Sequence, residues 1–386
     1  MDSKFIRQCL YANELGDGEL FKKMFQGKIL HNNAMDCWML WDGHHLVLDM
    51  MEVALASVEG IVEKYLNEAQ DMSKKMKDLE DDDPSKPKLT KIRDDLLKRA
   101  SALRSTRRRA NCLTFARTTN DPMAIKGTEI DCKPWLLPCK NGVLDLRTGA
   151  LKDGKLEDYL LKASPIEWKG INEPCPMWDA FLKEIMEDDE LMVEFLQRLF
   201  GYALIGASIE HKIIVMEGRG RNGKGTIVDI LTHIMGDLAG PIRSEMLLDQ
   251  SRNLSSAGPT PDIMALRGRR MAFASETDEG CRVSSARVKW LTGNDMLTGR
   301  NPHDKYEISF KPTHTLFLLT NSRPHAPAED FAFWQRMILI PFGLSYVDYE
   351  PEKDNERRAD PDLPEKLKQE ASGILAWLVR GCLLYH

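Results

Sequence analysis

Nine consecutive residues carry the densest chemistry of this chain: Gly218-Arg219-Gly220-Arg221-Asn222-Gly223-Lys224-Gly225-Thr226. The apolar run Ile213 to Met216 precedes them, and the helix-compatible stretch TIVDILTHIM begins at Thr226. A glycine-rich turn between strand and helix leaves backbone N–H groups and a helix N-terminus free to surround phosphate oxygens, while a lysine reaches the terminal groups. Gly218, Gly220, Asn222, Gly223, Lys224, Gly225 and Thr226 are therefore expected to cradle a nucleoside triphosphate. One position departs from the usual pattern. Gly225 stands where a Ser or Thr commonly ligates magnesium, so the hydroxyl falls to Thr226. The same GKGT spelling serves nucleoside-monophosphate kinases, so the loop specifies the nucleotide and not the use made of it.

Three later apolar runs adjoin groups that suit triphosphate cleavage. MAFAS runs into Glu276-Thr277-Asp278-Glu279, and an acid at the C-terminal end of a neighbouring parallel strand is where open α/β sheets meet their ligands. Glu276 is expected to orient the attacking water or to hold Mg²⁺ together with Thr226, with Asp278 as the alternative. The run Thr315 to Leu319 ends in Thr320-Asn321, whose amide suits sensing of the terminal phosphate. Phe333-Trp334-Gln335-Arg336 precedes MILIPF, and Arg336 suits a guanidinium delivered to the nucleotide of an adjoining subunit. Taken singly, each of these is an acid opening a loop, a turn amide or a surface ion pair. Between acid and sensor, MLTGR and YEISF flank Asn301-Pro302-His303-Asp304-Lys305, the pattern of a hairpin with a partly basic tip. His303 and Lys305 on such a tip suit contact with backbone phosphates.

These groups need a scaffold, and the 386 residues with 42% apolar content suffice for two or three packed units. The spacing predicts a mainly helical domain over 1–130, including an aromatic segment from Cys37 to Trp41, then a small β segment over 131–172 that closes it. Helices over 173–210 form a collar. Strands alternating with helices over 211–345 predict a parallel sheet covered by helices, and 346–386 ends in an apolar helix. Arg104, Arg107, Arg108 and Arg109 crowd one helical stretch, as either a solvated face or a phosphate-contacting patch. The net charge of -6 offers no global attraction for a polyanion, so nucleic-acid contact must be local. Eight scattered cysteines form no CxxC pair, so a structural zinc site is not expected. No apolar run is long enough to cross a bilayer and no signal peptide opens the chain, from which a cytoplasmic location is expected.

The order GRGRNGKGT, RMAFASETDE, KWLTGNDMLTGR, TLFLLTNSRP and FWQRMILIPF resembles the Walker A, Walker B, B-prime, sensor and arginine-finger series of superfamily three helicases. More narrowly it is similar to the phage, plasmid and poxvirus primase-helicase family, a likeness that spans about residues 130–345. The upstream WDGHHLVLD and LPCKNGVLDLRTGAL resemble the domain preceding the motor there. The resemblance implies an α/β AAA+ P-loop fold, a homo-hexamer with ATP and Mg²⁺ bound between subunits, and single-stranded or forked DNA in the central channel, moved 3′ to 5′. By position, Lys224 would bind phosphate, Glu276 assist hydrolysis, Asn321 sense and Arg336 act in trans, while Lys289, Asp295 and Arg300 match the segment leading to the DNA hairpin, where Lys289 and Arg300, with His303 and Lys305, would contact DNA. Gln335 stands where a second basic residue often accompanies the finger. A phage or mobile element in a bacterial host is the expected source, with a replication initiator or primase as partner. Residues 1–130 hold no carboxylate set for primer synthesis, so a primase or winged-helix domain would belong to a longer parent protein.

Two other functions share parts of this pattern. An ATP-switched DNA-binding scaffold or loader would carry every motif without unwinding. A small-molecule kinase would account for the GKGT loop but not for Asn321, Arg336 or the hairpin.

Overall fold

The computed structural model describes residues 1–248, 258–275, 283–302, 304, 306–323 and 329–386. Two compact units emerge, one formed by Met1–Asp42 with Leu46–Gly127, the other by Gly43–His45 with Thr128–His386.

The first unit is mainly helical. Ser3–Tyr11, Asn13–Phe25, Glu59–Lys77, Lys86–Ala102 and Thr106–Thr118 surround a core of Phe21, Tyr65, Met72 and Leu96. The aromatic segment inside this helical module is a strand. β1 (Ile29–Asn32), β2 (Cys37–Trp41), β3 (Leu46–Leu48) and β4 (Ala124–Ile125) form a sheet in the order β3-β2-β1-β4. Met39 of β2 is fully buried, and Trp38 and Leu40, which point to the other face of the strand, are partly buried and pack against the helical core. The arginine cluster is drawn into internal ion pairs: Arg104 and Arg109 with Glu59, and Arg108 with Glu14.

In the second unit, β5 (Leu136–Cys139), β6 (Gly142–Asp145) and β7 (Ala150–Lys152) form an antiparallel sheet. This small β segment does not close the first unit, because its apolar side chains go elsewhere. Leu137, Cys139 and Leu144 join the core of Trp178, Phe200 and Trp377. Arg270, fully buried just before Met271–Ser275, a strand of the parallel sheet, donates to the carbonyl oxygens of Pro134, Leu136 and Leu204. Burial lowers its pKa to about 10, and three carbonyl partners keep the charge satisfied.

The parallel sheet follows. β8 (Ile213–Glu217), β9 (Ala239–Ile242), β10 (Met271–Ser275), β13 (Thr315–Thr320) and β14 (Met337–Pro341) are all parallel, in the order β14-β8-β13-β10-β9; β11 (Leu297–Gly299) and β12 (Ile308–Phe310) pair apart from it as an antiparallel hairpin. Both faces of the sheet are covered, so its strands read as nearly unbroken apolar runs. Ile214, Met216, Phe273 and Phe317 face the core shared with the collar helices Pro176–Ile185 and Glu190–Tyr202. Val215, Ala272, Leu316 and Leu318 face the opposite core, with Val288, Leu291 and Phe333. The expected α/β class, a covered P-loop sheet with a helical region before it, is the class observed. Among the described residues no helix is long and apolar enough to cross a membrane.

The last helix, Ala371–Tyr385, lies against Glu190–Tyr202 through glycines. A Cβ on Gly381 would stand 1.9 Å from the Gln197 carbonyl oxygen, and one on Gly201 would stand 2.2 Å from the Cys382 nitrogen. Backbone cannot yield there as a side-chain tip would. Gly381→Ala is expected to destabilise the second unit by about 2–3 kcal/mol, read as an earlier calorimetric transition. An unchanged transition would mean that the two helices do not pack this closely.

Candidate nucleotide site

β8 delivers the chain to the glycine-rich loop, and the helix Lys224–Met235 leads away from it. The turn demands its glycines for different reasons. Gly220 and Gly223 have φ of +95° and +87°, a region open to glycine at little cost. Gly218 has no room for a Cβ, which would fall 2.1 Å from Asn222 Nδ2 and 2.6 Å from the Phe342 oxygen. Gly225 is different: it is exposed and a Cβ there would meet nothing within 4 Å. No packing contact requires glycine at that position. Asn222 is buried and donates from Nδ2 to the Phe342 carbonyl at 3.5 Å, while the Gly218 N–H donates to the Thr320 carbonyl at 3.1 Å. The loop is thus tied to the ends of two neighbouring strands.

Lys224 is buried to 6% exposure, and its ammonium donates to the Gly218 carbonyl. Burial lowers its pKa, against the opposing pull of Glu217. A cation held in this way, beside helix N–H groups without intrahelical partners, is a standing site for an anion.

The strand register lines up the other groups. Glu217 of β8 sits opposite Thr320 of β13, and Leu319 opposite Ser275 of β10. The next residues along β8 and β13 are Gly218 and Asn321, so the loop and the amide belong to adjacent strand ends. A cleft of about 350 Å³ is lined by Gly220 through Thr226 on one side, and by Ser275, Leu319, Thr320 and Asn321 on the other. Asn321 is exposed at its mouth. Glu276 and Asp278 lie outside the described residues.

A second cleft, of about 620 Å³, shares Arg221, Gly223 and Thr226 with the first and extends over Met177, Phe181, Tyr346, Leu363 and Pro364. It was not visible in the sequence, since its walls come from segments some 170 residues apart. Tyr346 is fixed there by donating to Glu184 Oε1 at 2.7 Å, and burial raises its pKa above the usual tyrosine range. Two contiguous clefts, one cationic and one mostly apolar, match the two ends of a nucleotide.

Arg336 is not near either. It precedes Met337, which pairs with Ile213 at the start of β8. The glycine-rich loop begins after Glu217, four residues or about 13 Å further along the strand. Arg336 is half-buried, donates from Nη1 to the Ala332 carbonyl at 2.8 Å, and leaves Nε without a partner among the described residues. It shares a cavity of about 450 Å³ with His211, Lys289, Trp290 and Asp295.

The hairpin expected between acid and sensor forms in the register Leu297↔Phe310, Thr298↔Ser309 and Gly299↔Ile308. Arg300 lies at its outer end and donates to the Asp304 carbonyl at 3.4 Å. Lys289 precedes it, on the helix Ser285–Thr292, with its ammonium 2.7 and 2.8 Å from the two carboxylate oxygens of Asp330. His303 and Lys305 lie outside the described residues. Among the described residues no cluster of three His, Cys, Asp or Glu side chains could hold a metal ion.

Residues 18–187 match the family described as D5 N terminal like. Among curated proteins, "Putative helicase L207/L206" of Acanthamoeba polyphaga mimivirus is 28% identical over 263 residues, 65% of this chain and 27% of that protein. "Putative helicase 121R" of Invertebrate iridescent virus 3 is 26% identical over 266 residues, 64% of this chain and 28% of that protein. The chain thus spans little more than a quarter of the length of these relatives. The solved C-terminal region of NrS-1 is 17% identical, with a TM-score of 0.40 over 55% of this chain and 46% of that one.

Proposed function

We propose that this chain, whose similarities are to the D5 N terminal like family and to putative viral helicases, is a member of the phage- and poxvirus-type primase-helicase family and an ATP-driven DNA helicase or translocase that works as a ring, a homo-hexamer by family resemblance, in virus- or mobile-element-type replication. One observation supports this reading above the others: Lys224 and Arg336 lie at opposite ends of the same strand pair. Arg336 cannot serve the nucleotide held by its own loop, so a complete site needs two protomers.

In this reading the triphosphate lies in the cleft over Lys224, and the loop N–H groups and the helix N-terminus bind its oxygens. Adenine and ribose occupy the adjoining cleft against Phe181 and Tyr346. Mg²⁺ held by Thr226 and Glu276 would neutralise phosphate charge. Glu276 orients the attacking water, Asn321 detects loss of the terminal phosphate, and Arg336 of the next protomer stabilises the charge on the transferring group. Arg300, at the outer end of the β11–β12 hairpin, contacts backbone phosphates together with His303 and Lys305.

A single-stranded oligonucleotide should stimulate ATP turnover, and the protein should displace the labelled strand of a forked duplex in the presence of ATP and Mg²⁺. An ATPase indifferent to DNA would overturn the proposal. Stimulated turnover without strand displacement would identify a loader instead.

A further inference from the structure

The cavity beside Arg336 joins two elements that are far apart in sequence. Asp330 caps the short helix Phe331–Trp334, its Oδ1 accepting from the Phe333 N–H at 3.1 Å. That helix holds Arg336 directly, because the guanidinium donates to the Ala332 carbonyl. Lys289, whose ammonium grips both oxygens of the same carboxylate, belongs to the helix that runs into the first hairpin strand. Phe333 reinforces the contact from below, buried in one cluster with Val288 and Leu291 of the Lys289 helix. The far end of the Lys289 helix is also pinned: the Thr292 carbonyl accepts from Ser208 Oγ at 2.8 Å and lies 3.0 Å from His211 Nδ1.

From this arrangement we infer that the Lys289–Asp330 ion pair is a positioning device, fixing the Arg336 helix to the helix that carries the DNA hairpin, so that a shift of the hairpin moves the finger. This rests on the reading of Arg336 as a residue acting in trans, and gives Lys289 a different task from the DNA contact expected of it. Its ammonium is already occupied by a carboxylate. A half-exposed ion pair contributes little to stability, but a small displacement of a catalytic group costs a large factor in rate.

The full chain and a single-stranded oligo(dT) separate the alternatives. Lys289→Met and Asp330→Asn, the second of which keeps a capping side chain, should each lower oligo(dT)-stimulated kcat by roughly tenfold or more. KM for ATP should be unchanged, and so should the slope of log affinity for oligo(dT) against log salt. Lys289→Arg, which can still pair with Asp330, should recover most of the loss. A salt slope reduced by roughly 0.7 in Lys289→Met, one single-strand phosphate contact, would overturn the inference, as would an equal loss in Lys289→Arg. Wild-type kcat in both pair variants while Arg336→Ala is inactive would sink the coupling and leave the trans finger standing. Wild-type turnover in Arg336→Ala would instead remove the reading beneath it.

Discussion

Lys224→Met is expected to lower ATP turnover by roughly 10²–10³-fold, the scale on which one preorganised donor to a developing charge acts, without unfolding the chain. Lys224 is buried, with its charge disfavoured by desolvation and its ammonium turned onto a carbonyl of its own loop. Methionine fills nearly the same volume and brings no charge to desolvate. The unliganded variant should therefore melt at the same temperature as the parent or slightly above it. The two proteins should part when ATP and Mg²⁺ are added: binding to the folded state raises the melting temperature by mass action, and the variant should lose most of that rise. Scanning calorimetry with and without nucleotide, beside a phosphate-release assay, reads both effects. A variant that hydrolyses ATP normally would show that the 218–226 loop is a structural turn. One that melts well below the parent would show that the lysine serves the fold.

What the sequence disclosed and what it concealed divide along physical lines. The strands of the parallel sheet were legible because burial on both faces turns them into apolar runs, and because the polar groups Glu276, Asn321 and the loop come immediately after those runs in sequence. Cys37–Trp41 was harder. A five-residue aromatic run has no distinctive period, and only pairing with β1 and β3 makes it a strand. The 131–172 segment was read as strands and turns but joined to the wrong unit, since the forces that assign it, Arg270 reaching three carbonyls and Leu137 entering the core of Trp178, are contacts between distant residues. The cleft over Phe181 and Tyr346 and the Lys289–Asp330 pair were hidden for the same reason. Periodicity reports which face of an element is buried, and says nothing about the partner that buries it.

Arg336→Ala should lower DNA-stimulated ATP turnover by about 10³-fold or more, the range over which an arginine supplied in trans accelerates phosphoryl transfer, and the loss should be repairable by a neighbour. The register of β14 on β8 puts Arg336 beside Ile213 while the loop starts beyond Glu217, so the guanidinium and the phosphates of one protomer are held apart by the length of the strand. Protomers carrying Arg336→Ala keep an intact loop and acid; protomers carrying Glu276→Gln keep an intact finger. Each should be inactive alone. Mixed, they should regain a fraction of wild-type turnover set by how often a finger-bearing protomer stands beside an acid-bearing one, with a maximum at intermediate ratios. Two independent single-chain sites would give no recovery at any ratio. The Nε of Arg336, which has no partner among the described residues, adds a second readout: that nitrogen gains a hydrogen bond when a neighbour's anion arrives. Sedimentation should then show that ATP favours the assembled ring in the parent more than in Arg336→Ala, in proportion to the contacts the alanine cannot make.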